Sequence, residues 1–311
     1  MARGESPSVT DPAVDAGAGT RAQRLNKVIA LIESGRPAFG TFLPSGSIPE
    51  AVWASRSQYD FVVFEQEHDA LDFSRLRDSL QYLLDRRAIA DAAAAGRLGP
   101  DVVPFVRLPR NGREREDWLI KQALDLGVYG IVFPMVETAD DVRHILGAMR
   151  FPAARGRASG GIPGRRGYSP QNAERYWGVA GAEYYDRADV WPLNPQGELL
   201  PVLQCETVAG VENLAALCRE LPQPGLIMIS TADLSASMGL RGEYTPEVEA
   251  LVRRAAAVCR EHGVPYGTPE VTAANVAARV DEGHRFLMFG PERDFTTLMR
   301  GRAHAGRSGL P

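Results

Sequence analysis

Cysteine is scarce in this 311-residue chain: three residues, Cys205, Cys218 and Cys259, with no CxxC pair among them. A sparse, odd set of thiols excludes a disulfide framework and fits a reduced, cytoplasmic setting. Histidine is rare too, five in all, and no Cys/His cluster with zinc spacing exists. No apolar run approaches the ~20 residues a membrane helix needs. The first twenty residues lack the apolar stretch of a signal peptide. Basic charge is not in excess, with 35 Lys and Arg against 39 Asp and Glu and a net charge of −4. That balance excludes a basic field for nucleic acid or anionic membrane, so a small anionic substrate needs a local arginine or a metal.

What is present is ordinary globular composition, 44% hydrophobic and 24% charged, on a chain long enough for one large domain. Apolar, β-rich runs recur at Ala38–Leu43, Asp60–Glu65, Val103–Leu108, Tyr129–Phe133, Leu200–Glu206, Gly225–Ser230, Val264–Thr268 and Arg285–Gly290. Helix-period stretches separate most of them. Thr138–Met149 puts Val142, Ile145, Leu146 and Met149 on one stripe behind a Thr138/Asp141 capping pair. Glu114–Leu126 stops at Gly127, and Pro246–His262 stops at Gly263. Alternating strand and helix predicts parallel pairing, and eight units favour a closed (β/α)8 TIM barrel of the α/β class.

The expected organisation is a disordered Gly/Pro/Ser-rich tail over 1–22, one barrel over 23–305 and a short tail at 306–311. Asp85–Pro100 reads as extra helical turns. The segment 151–198 exceeds an ordinary connection and holds eight glycines together with Tyr168, Tyr176, Trp177, Tyr184, Tyr185 and Trp191. It reads either as a binding or lid element or as an interface or surface decoration.

Chemistry gathers at the carboxyl ends of the runs. Glu65-Gln66-Glu67-His68 follows DFVVF, Arg107 follows VVPFV, Pro134-Met135 follows YGIVF, Glu206 follows LPVLQC and Asp233 follows LIMIST. In a barrel this is the face that carries active sites. Cys205 stands beside Glu206, but strand alternation aims it the other way, as a packing residue. Two carboxylates without Cys or His ligands make an all-oxygen site suited to a hard cation that keeps several waters.

The signals YDFVVFEQEH, VRLP, LIKQALDLG, IVFPMVET, Arg155-Gly156, QCET and ADLSASMG, in that order, resemble the HpcH/HpaI aldolase family. These are metal-dependent class II pyruvate aldolases related to the citrate lyase β subunit. The resemblance spans about 35 to 300. It implies a (β/α)8 barrel, usually a hexamer, with Mg2+, Mn2+ or Co2+ on Glu206 and Asp233. It also implies Arg107 facing the 2-oxo group and His68 as the catalytic histidine. Asp125 matches an aspartate paired with that histidine. Because Asp125 falls at a helix C-terminus, on the face opposite the active site, it is expected to reach His68 only from a neighbouring subunit.

Gln204, Pro134, Phe42 and the Thr231-Ala232-Asp233 turn complete the expected substrate surface, with amides around Ala232 and Asp233 holding the substrate carboxylate. The chain departs from the family pattern at three places. Asp-Gly-Glu-His becomes Glu65-Gln66-Glu67-His68, the Gly-Pro before ADLS becomes Ser230-Thr231, and Phe42 stands where a tryptophan is common.

The reaction expected is making or cleaving the C3–C4 bond of a 2-oxo acid through a pyruvate enolate, with an aldehyde or larger acceptor matched to the aromatic segment. Two rivals remain. One is an oxaloacetate-decarboxylating or other enolate-based biosynthetic enzyme; the other is a barrel that binds a 2-oxo acid or a partner protein without turnover. No nucleic acid or membrane partner is expected, and a homo-oligomer is.

Overall fold

The computed structural model describes residues 23–110, 115–154, 161–292 and 294–306. The expected tail at 1–22, the expected tail at 306–311 apart from Gly306, and the Arg155-Gly156 pair lie outside the described residues. Eight strands close into a barrel in sequence order. They are β1 (Ala38–Leu43), β2 (Phe61–Glu65), β3 (Val103–Arg107), β4 (Gly130–Phe133), β5 (Leu200–Cys205), β6 (Leu226–Ile229), β7 (Tyr266–Thr268) and β8 (Phe286–Phe289). All pair in parallel, and β1 closes on β8 with Ala38 opposite Phe286 and Thr41 opposite Phe289. Each run read as a strand is one, trimmed at most by two residues at an end. The runs are almost continuously apolar because helices cover the outer face of a parallel barrel while side chains fill its interior.

The interior near the amino-terminal mouth is filled by aromatic rings set against glycines. Phe61 stacks on Phe286 at 4.0 Å between ring centroids, and Phe105 meets both edge-on at 5.7 Å. Room for these rings comes from missing side chains. A Cβ on Gly40 would lie 2.4 Å from the Phe61 ring, and one on Gly130 would lie 2.2 Å from Phe105 and 2.4 Å from the Leu200 carbonyl oxygen.

The helices follow their sequence signals. Ala139–Met149 begins with the Thr138/Asp141 reciprocal cap, and Asp117–Leu126 ends at Gly127 with φ 111°. Pro246–Glu261 runs to the turn at Gly263. The alanine-rich piece forms Arg86–Ala94, its first turn capped by the Asp85 carboxylate. Among the described residues, no helix is long and apolar enough to cross a membrane.

The aromatic segment supplies two short helices, Gln171–Trp177 and Ala182–Arg187, and it lies at the amino-terminal mouth of the barrel. Trp177 stacks on Tyr129, immediately before β4, at 4.3 Å, and its indole N–H donates to the Gly127 carbonyl at 2.9 Å. Leu199, immediately before β5, pairs with Val190. Glu198 accepts from the Asn26 amide at 2.9 Å, and the Asn26 side chain donates to the Glu198 carbonyl at 3.0 Å. The described part of this segment is therefore a floor under the barrel. An acceptor pocket built from its tyrosines and tryptophans at the strand carboxyl ends does not form.

Candidate active site

The carboxyl ends of β2, β3, β5 and β6 bring a compact set of charges to the other mouth. On β2, Glu65 curls its carboxylate back over the following turn, accepting from the Glu67 amide at 2.7 Å and the His68 amide at 3.2 Å. Its second oxygen takes the Arg107 guanidinium, Nε at 2.8 Å with Nη2 also in contact. Arg107 Nη1 meets Glu67 at 3.2 Å, and the Phe42 ring lies over the guanidinium carbon at 4.7 Å. Two carboxylates and an aromatic face thus fix a guanidinium whose side chain is only 12% exposed. Glu65, read in the sequence as a departure, caps its own turn and clamps Arg107 at once.

Glu206 is buried at the end of β5. Its Oε1 accepts from the Met135 amide at 2.8 Å, a direction set by Met135 itself, which holds φ 56°. Non-glycine residues rarely adopt this left-handed conformation, and it concentrates at functional sites. Gln204 donates to Glu206 Oε2 and to the Ser230 hydroxyl, the latter at 2.9 Å. Burial pushes the Glu206 carboxyl up to about 8; nearby Asp233 and Glu67 push the same way, against the Met135 amide and Arg107. Burial likewise raises Glu67, opposed by Arg107 and His68 and reinforced by Glu65 and Asp233. Glu206, Asp233, Glu67 and Arg107 therefore share one electrostatic neighbourhood.

That neighbourhood fits a divalent cation. It crowds carboxylates that repel one another, and the Gln204 Oε1 atom beside Glu206 is buried without a hydrogen-bond partner. Among the described residues, no three His, Cys, Asp or Glu side chains close around one point. Glu206 and Asp233 would be the protein's contribution, with water or substrate oxygens completing the shell.

Other residues expected at the site divide. His68 is on the rim, its side chain 65% exposed, with Nε2 3.5 Å from Glu67. Phe42 covers Arg107, and Pro134 is buried immediately before the Met135 turn. Asp125 is elsewhere. It ends the Asp117–Leu126 helix and pairs with the fully buried Arg166 side chain at 2.7 Å, next to the Tyr184 hydroxyl. Within one chain it does not join the other site residues.

The turn after β6 also differs from expectation. The Thr231 amide donates to Glu270 at 2.8 Å, and Thr268 donates its hydroxyl to the other Glu270 oxygen at 3.1 Å. Burial raises the Glu270 carboxyl, although the Thr231 and Ala232 amides and the threonine hydroxyls hold it down. Glu270 was not singled out in the sequence. The signal was there, an acid two residues beyond the end of the YGT strand, the same pattern that marked Glu206 and Asp233.

The family model described as HpcH/HpaI aldolase/citrate lyase matches residues 38–295. A hydroxypyruvate/pyruvate aldolase of Paraburkholderia phytofirmans is 26% identical over 81% of this chain and 85% of its own. A 2-keto-3-deoxy-L-rhamnonate aldolase of Klebsiella pneumoniae is 28% identical over 82% of this chain and 83% of its own. A crystal structure of an HpcH/HpaI aldolase/citrate lyase family protein from Burkholderia cenocepacia superposes with a TM-score of 0.67 at 26% identity, covering 91% of this chain and 98% of that one. With the barrel, the strand-end acids and a match running from β1 past β8, the chain belongs to the HpcH/HpaI aldolase/citrate lyase family.

Proposed function

We propose that the protein is a carbon–carbon lyase of the class II aldolase type, which makes or cleaves the C3–C4 bond of a 2-oxo acid through a pyruvate enolate. The observation that carries this reading is the shared neighbourhood of Glu206, Asp233, Glu67 and Arg107 at one barrel mouth. Glu206 and Asp233 would hold Mg2+, Mn2+ or Co2+, which when bound supplies Lewis acidity and positive charge next to the substrate's keto oxygen.

The remaining roles belong to the chain's own groups. Arg107, already fixed by Glu65 and Glu67, stabilises the negative charge that grows on the C2 oxygen as the C3–C4 bond breaks. His68, at the open rim beside Glu67, takes the proton from the C4 hydroxyl in cleavage and returns it in synthesis, directly or through a water. Gln204 holds the Glu206 carboxylate in place. A cleft of about 460 Å³ opens beside Phe42, lined by Leu43, Pro44, Pro49, Glu50, Trp53 and Pro291, and it would seat the aldehyde partner in mainly apolar surroundings with one acid at hand.

The assembly is a homo-oligomer, a hexamer by family resemblance, working in the cytoplasm. Asp125 would meet a neighbouring subunit's histidine through the carboxylate oxygen that its pair with Arg166 does not use.

The test is exchange of the pyruvate methyl protons for deuterium, followed by NMR with and without Mg2+ or Mn2+. Metal-dependent exchange that Glu206→Ala abolishes is the expected result, and its absence in the intact protein would sink the enolate reading. Release of CO2 from oxaloacetate with no aldehyde turnover would instead assign a decarboxylase on the same enolate.

A further inference from the structure

Glu270 is a further carboxylate at the mouth, one that the catalytic assignment does not use. It follows β7, and in the closed order of strands β7 stands across the barrel from β3, which carries Arg107. Both of its oxygens are held, one by the Thr231 amide at 2.8 Å and the other by the Thr268 hydroxyl at 3.1 Å. The Asn275 side chain fixes the backbone of the same residue, donating to the Glu270 carbonyl at 3.1 Å. Thr231 supplies an N–H here that a proline at the same position would lack.

A 2-oxo acid whose keto oxygen faced Arg107 would extend its carboxylate away from β3, toward β6 and β7. There it would meet the Thr231 amide, a backbone donor already taken by a carboxylate of the protein. Resting on the proposed reading, we infer that Glu270 is a specificity-determining residue. It occupies the hydrogen-bond donors at the β6–β7 side of the mouth and weakens binding of a free carboxylate there. A substrate end that offers a hydrogen-bond donor, such as a hydroxyl or an amide, finds an acceptor in Glu270 instead. A like charge facing the incoming carboxylate across a partly buried mouth weakens binding by about tenfold or more.

Calorimetry of pyruvate binding in excess Mg2+ compares the intact protein with Glu270→Gln and Glu270→Ala. Gln keeps an acceptor for the Thr231 amide, removes the charge and turns the group facing the Thr268 hydroxyl into a donor to it, so it guards against misfolding of the alanine variant. The expected result is a pyruvate dissociation constant lowered about tenfold or more in Glu270→Gln, with the Mg2+ dissociation constant within about twofold of the intact protein. Unchanged or weaker pyruvate binding overturns the inference. So does a parallel loss of Mg2+ affinity, which would make Glu270 a support for the Asp233 turn rather than a selector.

Methyl exchange, measured on the same samples, separates the two readings. Tighter pyruvate binding without exchange keeps the inference and removes the aldolase reading. Exchange with equal affinities keeps the aldolase reading and removes the inference. Pyruvate that binds none of the three proteins removes both.

Discussion

Arg107 illustrates how a single side chain is prepared for its task. Its guanidinium is held from two sides by Glu65 and Glu67 and covered by Phe42, so little reorganisation remains when negative charge develops in front of it. Arg107→Ala is expected to lower the rate of pyruvate exchange by about 10²–10³ while Mn2+ binding, followed by its paramagnetic signal, persists. Arg107→Lys should recover little, because a point charge cannot hold both carboxylates as the planar fork does.

His284, remote from the site, gives a separate handle on pH. Burial holds its imidazole down to about 3, with Arg279, Arg260 and Arg285 pushing the same way. The folded state thus stays neutral where the unfolded chain already takes a proton. His284 by itself should take about 2 kcal/mol from the stability between pH 6.5 and pH 5, while the raised Glu206 carboxyl works the other way over the same range. Urea unfolding of the parent and of His284→Phe at pH 7.5 and pH 5 checks this: the variant should gain about 2 kcal/mol on the parent at the lower pH. At this scale the sequence showed Glu206, Asp233 and Arg107 because each interrupts an apolar run at its carboxyl end. It did not show what Glu65 or Glu270 would hold, since those contacts join strands distant in sequence.

Elements follow local rules, and most were legible. The Thr138/Asp141 cap, the Gly127 stop and the eight apolar runs all mark what they seemed to mark, because each depends on neighbours within a turn or two. The aromatic segment was harder. Its composition suggests binding but carries no information about which mouth it covers. Its place in the chain order does: it follows a helix and precedes β5, and such connections lie at the amino-terminal mouth of a barrel.

Its described part packs under the barrel wall. Trp177, buried against Tyr129, should cost about 3–5 kcal/mol when replaced by alanine, read from urea unfolding, while pyruvate exchange by the folded variant stays close to that of the parent. Gly130→Ala is expected to be harsher, because the added methyl would meet both Phe105 and the Leu200 carbonyl in the closed barrel wall, and loss of soluble expression is the readout.

The whole molecule carries a cost concentrated at one end. Glu206 is buried beside two other acids, so the metal-free protein gives up stability to keep the site. Excess Mg2+ should raise the melting temperature, with about 2.7 kcal/mol gained at a concentration one hundred times the dissociation constant. A chelator should reverse the gain. Glu206→Gln removes the carboxyl whose pKa burial raises, and near pH 7 its metal-free form is expected to melt above the metal-free parent, to ignore Mg2+ and to be inactive. Scanning calorimetry with and without a chelator distinguishes these outcomes.

The Phe61–Phe105–Phe286 layer and the Trp177–Tyr129 stack block passage through the barrel axis. Reactants and products must therefore share a single doorway. Under the proposed reaction the compound that sits deepest would arrive first and depart last, so turnover is expected to be ordered, with an excess of the outer reactant trapping the inner one behind it.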